Sequence, residues 1–355
     1  MKRAIQDKRL ADAERYAHAM PLSLTSDRKK MLTSLAKAYQ NSGNARASLS
    51  ALSGISNSSA KSDEIADIVS QFLRADKAAE AEHAVKAMTE MGKQATSWIE
   101  IAKFYHKKGY NTRAKQAITN ANISTSKMQD GERKLDRYAA LTKLYADIGM
   151  IEQAAKTVMK AQGSKRRPDA MVAIIKYLSE KHSAAQAEGF LEPLQQHEEH
   201  YMQARALVAR AHAREKSPDK AESILSRLKA DGATVAAIGA RKSMAEAWSA
   251  LAKFYVGEGM TDKADQAIKK ISLSDIKAKT FIYYGGKMAD RGKVDLATKY
   301  YTEALTRIRS LKNKERRDAL LVEWAISQAT YGDKNVAQSV LKDISSSQGL
   351  SLIHI

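Results

Sequence analysis

The sequence predicts an all-α protein, an α-α superhelix in which helical hairpins stack as a right-handed solenoid. Three observations carry that expectation. The good helix formers Ala, Lys, Leu, Gln, Glu and Met are plentiful, and only four prolines occur in 355 residues. Apolar residues return at spacings of three and four, with no strongly alternating stretch. A two-helix pattern recurs along the chain, and neither helix pair could bury its apolar face alone, so neighbours must cover it. A chain of this length also exceeds what one compact core usually serves.

The clearest hairpin runs from Trp248 to Ile271. Trp248, Leu251, Ala252 and Tyr255 form one apolar face, a turn follows at Gly257 to Gly259, and Ala264, Ile268 and Ile271 form the next face. Used as a template, it finds a first match at Leu32, with Leu35, Ala36, Tyr39, Gly43, Leu52 and Ile55, and with Ser48 in place of the alanine. Further anchors are Ile65, Trp98, Tyr138, Met171, Arg205, Trp248, Phe281 and Leu321. Their second helices carry Ala81, Ala114, Ala154, Ala187, Ala221, Ala264, Ala297 and Ala337.

Glycine stands at the turn in six units, at Gly43, Gly109, Gly149, Gly259, Gly292 and Gly332. A left-handed residue just past a helix end explains the preference. Asp76, His182 and Lys216 take that place elsewhere, so those turns must adopt another geometry or carry strain. Anchors follow one another at 33, 33, 40, 33, 34, 43, 33 and 40 residues. A step of 40 adds about two helical turns and keeps the apolar face in phase, so the segments 122–137, 229–247 and 306–319 are expected to lengthen helices. The second of these contains Asp231-Gly232 and Gly239, which also suit a loop with a short helix.

The pattern resembles the tetratricopeptide repeat, on the residues Trp98-x2-Ile101-Ala102-x2-Tyr105-x3-Gly109-x4-Ala114 and Trp248-x2-Leu251-Ala252-x2-Tyr255-x3-Gly259-x4-Ala264. Phe281, Gly285, Ala297, Tyr301 and Ala304 match further positions of the family. The resemblance spans Leu32 to Ile344 and implies peptide or protein partners. No unit keeps the proline that usually ends the family's repeat, and the Arg205 anchor is polar.

The expected organisation is an incomplete repeat over 1–22, whose Ala13, Ala17 and Met20 match a second helix, then about nine hairpins over 23–349, then a tail over 350–355. Neither end shows a polar cap. The tail LSLIHI fits no repeat position and resembles translated adapter read-through, so the sequence is expected to be a piece of a longer protein. Its N-terminus has no uninterrupted apolar core and reads as helix rather than as a secretory signal. No run of 18 apolar residues exists, so no membrane-spanning helix is expected.

No enzyme motif is found: no phosphate-binding glycine loop, no G-x-S-x-G and no dinucleotide fingerprint. Cysteine is absent, which excludes thiolate catalysis and thiolate metal sites. His197-Glu198-Glu199-His200 brings the second histidine one residue too early for a zinc protease, and it reads as a solvated connection. The expectation is a non-catalytic protein with no cofactor and no metal. The recurring aromatics Trp98, Tyr105, Tyr138, Tyr145, Trp248, Tyr255 and Phe281 read as core. Tyr283-Tyr284 and Tyr300-Tyr301 each leave one ring to line a surface or to cover a helix.

The candidate site is a stripe five residues after each anchor: Lys37, Ser70, Lys103, Lys143, Lys176, Arg210, Lys253, Gly286 and Ile326. Six of these nine are basic, whereas Lys and Arg together make 59 of the 355 residues, so the stripe is enriched. Arg74, Lys107 and Arg214 extend the same helix face one turn on. By the resemblance, this side of the first helices faces a concave groove. A row of cations there suits an extended acidic peptide or protein segment, a chain carboxylate, or a nucleic-acid backbone. Lysine is also a good exposed helix residue, and a solvated face would look the same. The net charge of +19 favours acidic partners in general. An RNA-binding helical repeat is the alternative, although a base-reading code would need matched polar pairs in each unit, and the Lys-rich positions lack that alternation. Basic clusters at Arg28-Lys29-Lys30, Lys165-Arg166-Arg167 and 312–317 lie mostly between hairpins. Asp63, Asp136, Asp169 and Glu246, two residues before their anchors, are expected to offset helix dipoles.

Overall fold

A computed structural model describes residues 9–20, 25–55, 59–229, 232–342 and 344. The expectations for the tail 350–355 and for Asp231 fall outside the described residues. Every regular element among the described residues is helical. The chain divides into two compact units, residues 1–170 and 171–355.

Among the described residues, the first unit begins with helix α1 (Leu10–His18) and continues as antiparallel pairs. These are α2 (Thr25–Asn41) with α3 (Ala45–Ser53), α4 (Ser59–Arg74) with α5 (Ala78–Lys86), α6 (Met91–Lys107) with α7 (Asn111–Ser126), and α8 (Glu132–Ile148) with α9 (Ile151–Lys160). Each first helix packs on its own second helix and on the next first helix, so α2, α4, α6 and α8 lie side by side. Helix α10 (Arg167–Glu180) carries the boundary between the units.

The second unit continues with α11 (Ala184–Glu188) and a 3-10 turn (Glu192–Leu194). Then follow α12 (Glu198–Arg214) with α13 (Pro218–Leu225), α14 (Val235–Gly257) with α15 (Thr261–Lys269), α16 (Ser274–Asp290) with α17 (Val294–Arg309), and α18 (Lys314–Tyr331) with α19 (Lys334–Leu341). Its first helices α12, α14, α16 and α18 again pack in succession.

The apolar positions explain the stacking. Leu32, Ile65, Trp98, Tyr138, Met171, Trp248, Phe281 and Leu321 are all buried, as are the small residues Ser48, Ala81, Ala114, Ala154, Ala187, Ala221, Ala264, Ala297 and Ala337 that face them from the second helices. A small residue lets two helix backbones approach, and burial of the large ones supplies the driving force. The polar anchor Arg205 is half-buried and lays its guanidinium over the Tyr201 ring, 5.7 Å from its centre.

Helix lengths follow the anchor spacing. Helices α7 and α17 have 16 residues where α5 and α15 have 9, so the 40-residue steps do lengthen helices by two turns. The 43-residue step also lengthens one, since α14 runs for 23 residues and includes Gly239. A Cβ at that glycine would come within 2.9 Å of the Gln203 side chain on α12.

The turns close with one hydrogen-bond pattern. In the α6–α7 hairpin, Gly109 N–H donates to the His106 carbonyl at 3.0 Å and Tyr110 N–H to the Tyr105 carbonyl at 2.9 Å, a Schellman cap. Asp76, His182 and Lys216 do not escape this geometry, because their φ angles are 60°, 58° and 58°. The strain alternative therefore holds for these three. Gly332, in contrast, has φ −137°, so it is not left-handed. Its turn is held instead by the Asp333 carboxylate, which accepts from the Asn335 and Val336 N–H groups at the start of α19.

A second recurring bond fixes neighbouring hairpins. Seven residues past the anchor, Tyr39, Tyr105 and Tyr255 donate their hydroxyls to Glu14, Glu82 and Glu222 of the preceding second helix, at 2.7, 2.5 and 2.9 Å. His212 takes the same place opposite Glu188 at 2.7 Å. Burial and the adjacent carboxylate push the Tyr39 and Tyr105 hydroxyls up to about 12.

Candidate functional site

The nine cations of the stripe have different surroundings. In the first unit, Arg74, Lys103, Lys107 and Lys143 are exposed and have no ion-pair partner among the described residues, whereas Lys37 lies 3.3 Å from Glu64 on the next first helix. In the second unit, Lys176 is exposed and likewise unpaired among the described residues. Arg214 is exposed and reaches the Ser179 carbonyl at 3.5 Å.

Arg210 and Lys253 depart from the expectation of free cations. Arg210 is only 6% exposed: it pairs with Glu246 and points its Nε to the Ser179 hydroxyl at 3.4 Å, while Glu180 lies 3.7 Å away. Burial pulls its pKa down, and Glu246 opposes that pull. It is a structural cation that ties α12 to α14. Lys253 is half-buried along the face of Tyr283, with its Nζ 5.2 Å from the ring centre, and burial lowers its pKa. That packing gives Lys253 itself a place in the fold that the sequence did not show. Of the two tyrosine pairs, Tyr284, Tyr300 and Tyr301 are all buried, and Tyr283 is the spare ring.

The acidic residues before the anchors also act differently from expectation. Only Asp169 stands in the first turn of its helix; α4, α8 and α14 begin a turn or more earlier, which takes Asp63, Asp136 and Glu246 out of reach of the helix dipole. They pair instead: Asp63 with Lys93, Asp136 with Arg166, and Glu246 with Arg210.

Two free members of the stripe, Lys103 on α6 and Lys143 on α8, share a cleft of about 490 Å³. Its other walls are Ala139, Ala140, Leu144, Asp147, Arg166, Asp169 and Ala170. Ala140 in its wall stands two residues past the anchor of α8, where α4 and α6 carry the larger Asp67 and Glu100. Arg166 enters from the connection before α10. Its backbone N–H donates to the Ser164 hydroxyl at 3.0 Å, that hydroxyl donates to Asp136 at 2.7 Å, and the Arg166 Nε lies 3.7 Å from Asp136. One carboxylate thus orients the arginine. Neighbouring Arg137 is pulled below its ordinary pKa, first by burial and then by Arg166.

Three cations converge here on a floor of apolar side chains, a chemistry that binds carboxylate or phosphate. Sequence reasoning found Lys103 and Lys143 by period. It placed Arg166 in an inter-hairpin cluster and passed over Asp147, which stands at the helix position that Arg74 and Lys107 occupy in α4 and α6.

Elsewhere, a hollow of about 710 Å³ lies between the 43–49 and 72–83 segments, with Arg46, Lys77, His83 and Glu80 on its rim. His197 and His200 sit edge to face with ring centres 6.2 Å apart, and no group of three or more metal-type side chains occurs among the described residues. Glu199 between them accepts the Thr234 hydroxyl at 2.5 Å, which ties the start of α12 to the start of α14. No helix among the described residues is long and apolar enough to cross a membrane.

No family model and no curated protein matches the sequence. Among solved structures, a tetratricopeptide repeat protein from Parabacteroides merdae is similar at 14% identity, covering 79% of this chain and 97% of that one, with a TM-score of 0.43. The human IFIT1 dimer with m7Gppp-AAAA is similar at 16% identity, covering 99% and 87%, with a TM-score of 0.36. The pentatricopeptide repeat protein PPR10 from maize is similar at 12% identity, covering 92% and 60%, with a TM-score of 0.32. The hairpin motif, its buried alanines and its capped turns define the chain as a helical-repeat protein of tetratricopeptide-like units.

Proposed function

We propose that this protein is a non-catalytic binding scaffold whose first-helix face holds an extended acidic segment of a protein partner. The observation that carries the reading is the cleft between α6 and α8, where Lys103, Lys143 and Arg166 converge with no ion-pair partner on either lysine among the described residues. Arg74 on the neighbouring α4 and Lys107 at the end of α6, both unpaired among the described residues, extend the attraction along the same unit. The packed helices fix the backbone positions of these cations before a ligand arrives, which leaves side-chain ordering as the cost of binding.

A protein ligand is favoured over a nucleic acid by the charges in the same cleft. Asp147 and Asp169 stand among the three cations, and a phosphate backbone with a charge at every residue would meet them. A peptide can place its carboxylates only where the cations are. The test is a salt titration with two labelled probes, an acidic peptide and a single-stranded oligonucleotide. Peptide binding is expected to persist at physiological salt, and oligonucleotide binding to collapse between about 50 and 200 mM salt. Tight oligonucleotide binding that outlasts the peptide would instead support the RNA-binding alternative.

A further inference from the structure

The cleft is not a plain cation trap, because one of its carboxylates is as free as its lysines. Asp147 is exposed, lines the cleft, and has no hydrogen-bond or ion-pair partner among the described residues. Lys143 stands four residues before it on α8, which puts the two about 6 Å apart along the helix axis. An acid four residues after a lysine is the weaker orientation for pairing within a helix, and no ion pair forms between them here. Both charges are therefore presented outward on one helix face, with the buried Leu144 and the small Ala140 between and beside them. Asp169 and Arg166 are already engaged within the protein, which leaves Lys103, Lys143 and Asp147 as the groups open to a ligand.

We propose that Asp147 makes this cleft a reader of paired opposite charges, taking a peptide in which a carboxylate meets Lys103 and Lys143 and a cationic side chain two residues away meets Asp147. The spacing follows from chain geometry. In an extended peptide, alternate side chains point the same way and stand about 6.6–6.8 Å apart, close to the rise between Lys143 and Asp147. A Glu-x-Lys segment, read in either direction along α8, matches both charges at once. Glu-Lys-x, with the same composition, puts its cation on the opposite side of the strand. This specificity rests on the proposed peptide-binding role of the cleft.

The experiment compares two labelled peptides with identical flanks and composition, one carrying Glu-Gly-Lys and the other Glu-Lys-Gly, by fluorescence anisotropy. Equal net charge removes long-range attraction from the comparison. Wild type is expected to prefer Glu-Gly-Lys about threefold, the size of one partly exposed ion pair. Asp147→Asn, at an exposed position where no fold loss is expected, should erase the preference while keeping binding. Equal affinities in wild type, or a preference that survives Asp147→Asn, would overturn the proposal. The double variant Lys103→Glu/Lys143→Glu separates the two levels: it should lose both peptides, and if it binds both as wild type does, the peptide-binding role fails and the inference goes with it.

Discussion

Replacing the residue at a hairpin turn should have opposite signs at different repeats, and the structure sets the sizes. Lys216 holds φ 58°, a conformation in which a side chain with a Cβ pays about 1–2 kcal/mol. Glycine removes that strain but adds freedom to the unfolded chain, which offsets about 0.5–1 kcal/mol. The Lys216 side chain makes no hydrogen bond or ion pair among the described residues, so Lys216→Gly should stabilise the α12–α13 hairpin by about 0.5–1 kcal/mol. At Gly109, φ is 79° and nothing lies within 4 Å of the place an added methyl would take, so Gly109→Ala carries the conformational cost alone, about 1 kcal/mol of destabilisation. Because repeat arrays open locally, the assay is native-state hydrogen exchange of the amides flanking each turn, where about 1.4 kcal/mol is tenfold in rate. A destabilising Lys216→Gly, or a Gly109→Ala without cost, would refute the assignment of strain.

Two further outcomes follow from the bonds between hairpins. The Tyr105 hydroxyl, pushed up to about 12 by burial and by Glu82, keeps its proton after an unfolded tyrosine has lost its own near 10, so its contribution to stability is whole below about pH 10 and fades as pH rises toward 12. Glu82→Gln should lower its midpoint in an ultraviolet titration, and an unchanged midpoint would show that the carboxylate contributes nothing. Arg210→Ala would strand Glu246 and should destabilise the second unit by on the order of 3 kcal/mol in urea unfolding, with Arg210→Ala/Glu246→Ala recovering part of the loss.

The hairpins were legible in the sequence because each packing position recurs with the period of the repeat. Trp98 and Trp248, or Ala114 and Ala264, face the same surroundings in every unit, so one residue type suits each place. The turns were legible where glycine marks them, and Asp76, His182 and Lys216 show that the backbone geometry persists after the marker is lost. The stripe of cations was legible by the same period, but its members' roles were not. Arg210 is tied to a glutamate 36 residues away, and Lys253 to a ring 30 residues away, and such pairings depend on which hairpins pack. Arg166 escaped because it enters the cleft from a connection with no repeat position, held there by Ser164 and Asp136. Asp147 escaped because a search for recurring cations passes over the units that carry a carboxylate at that position, Asp147, Glu180 and Asp290.

The central claim is that Lys103 and Lys143 are ligand cations rather than solvated helix residues. Isothermal titration of an acidic peptide into wild type and into Lys103→Glu/Lys143→Glu tests it most directly. Both lysines are exposed and unpaired among the described residues, so the double variant should keep its helical circular dichroism and melting profile. The expected result is a loss of affinity of at least about tenfold, from two charge-assisted contacts of about 0.5–1 kcal/mol each and the repulsion that replaces them. Equal affinity in a folded double variant would mean that the stripe is only the solvated face of the repeats.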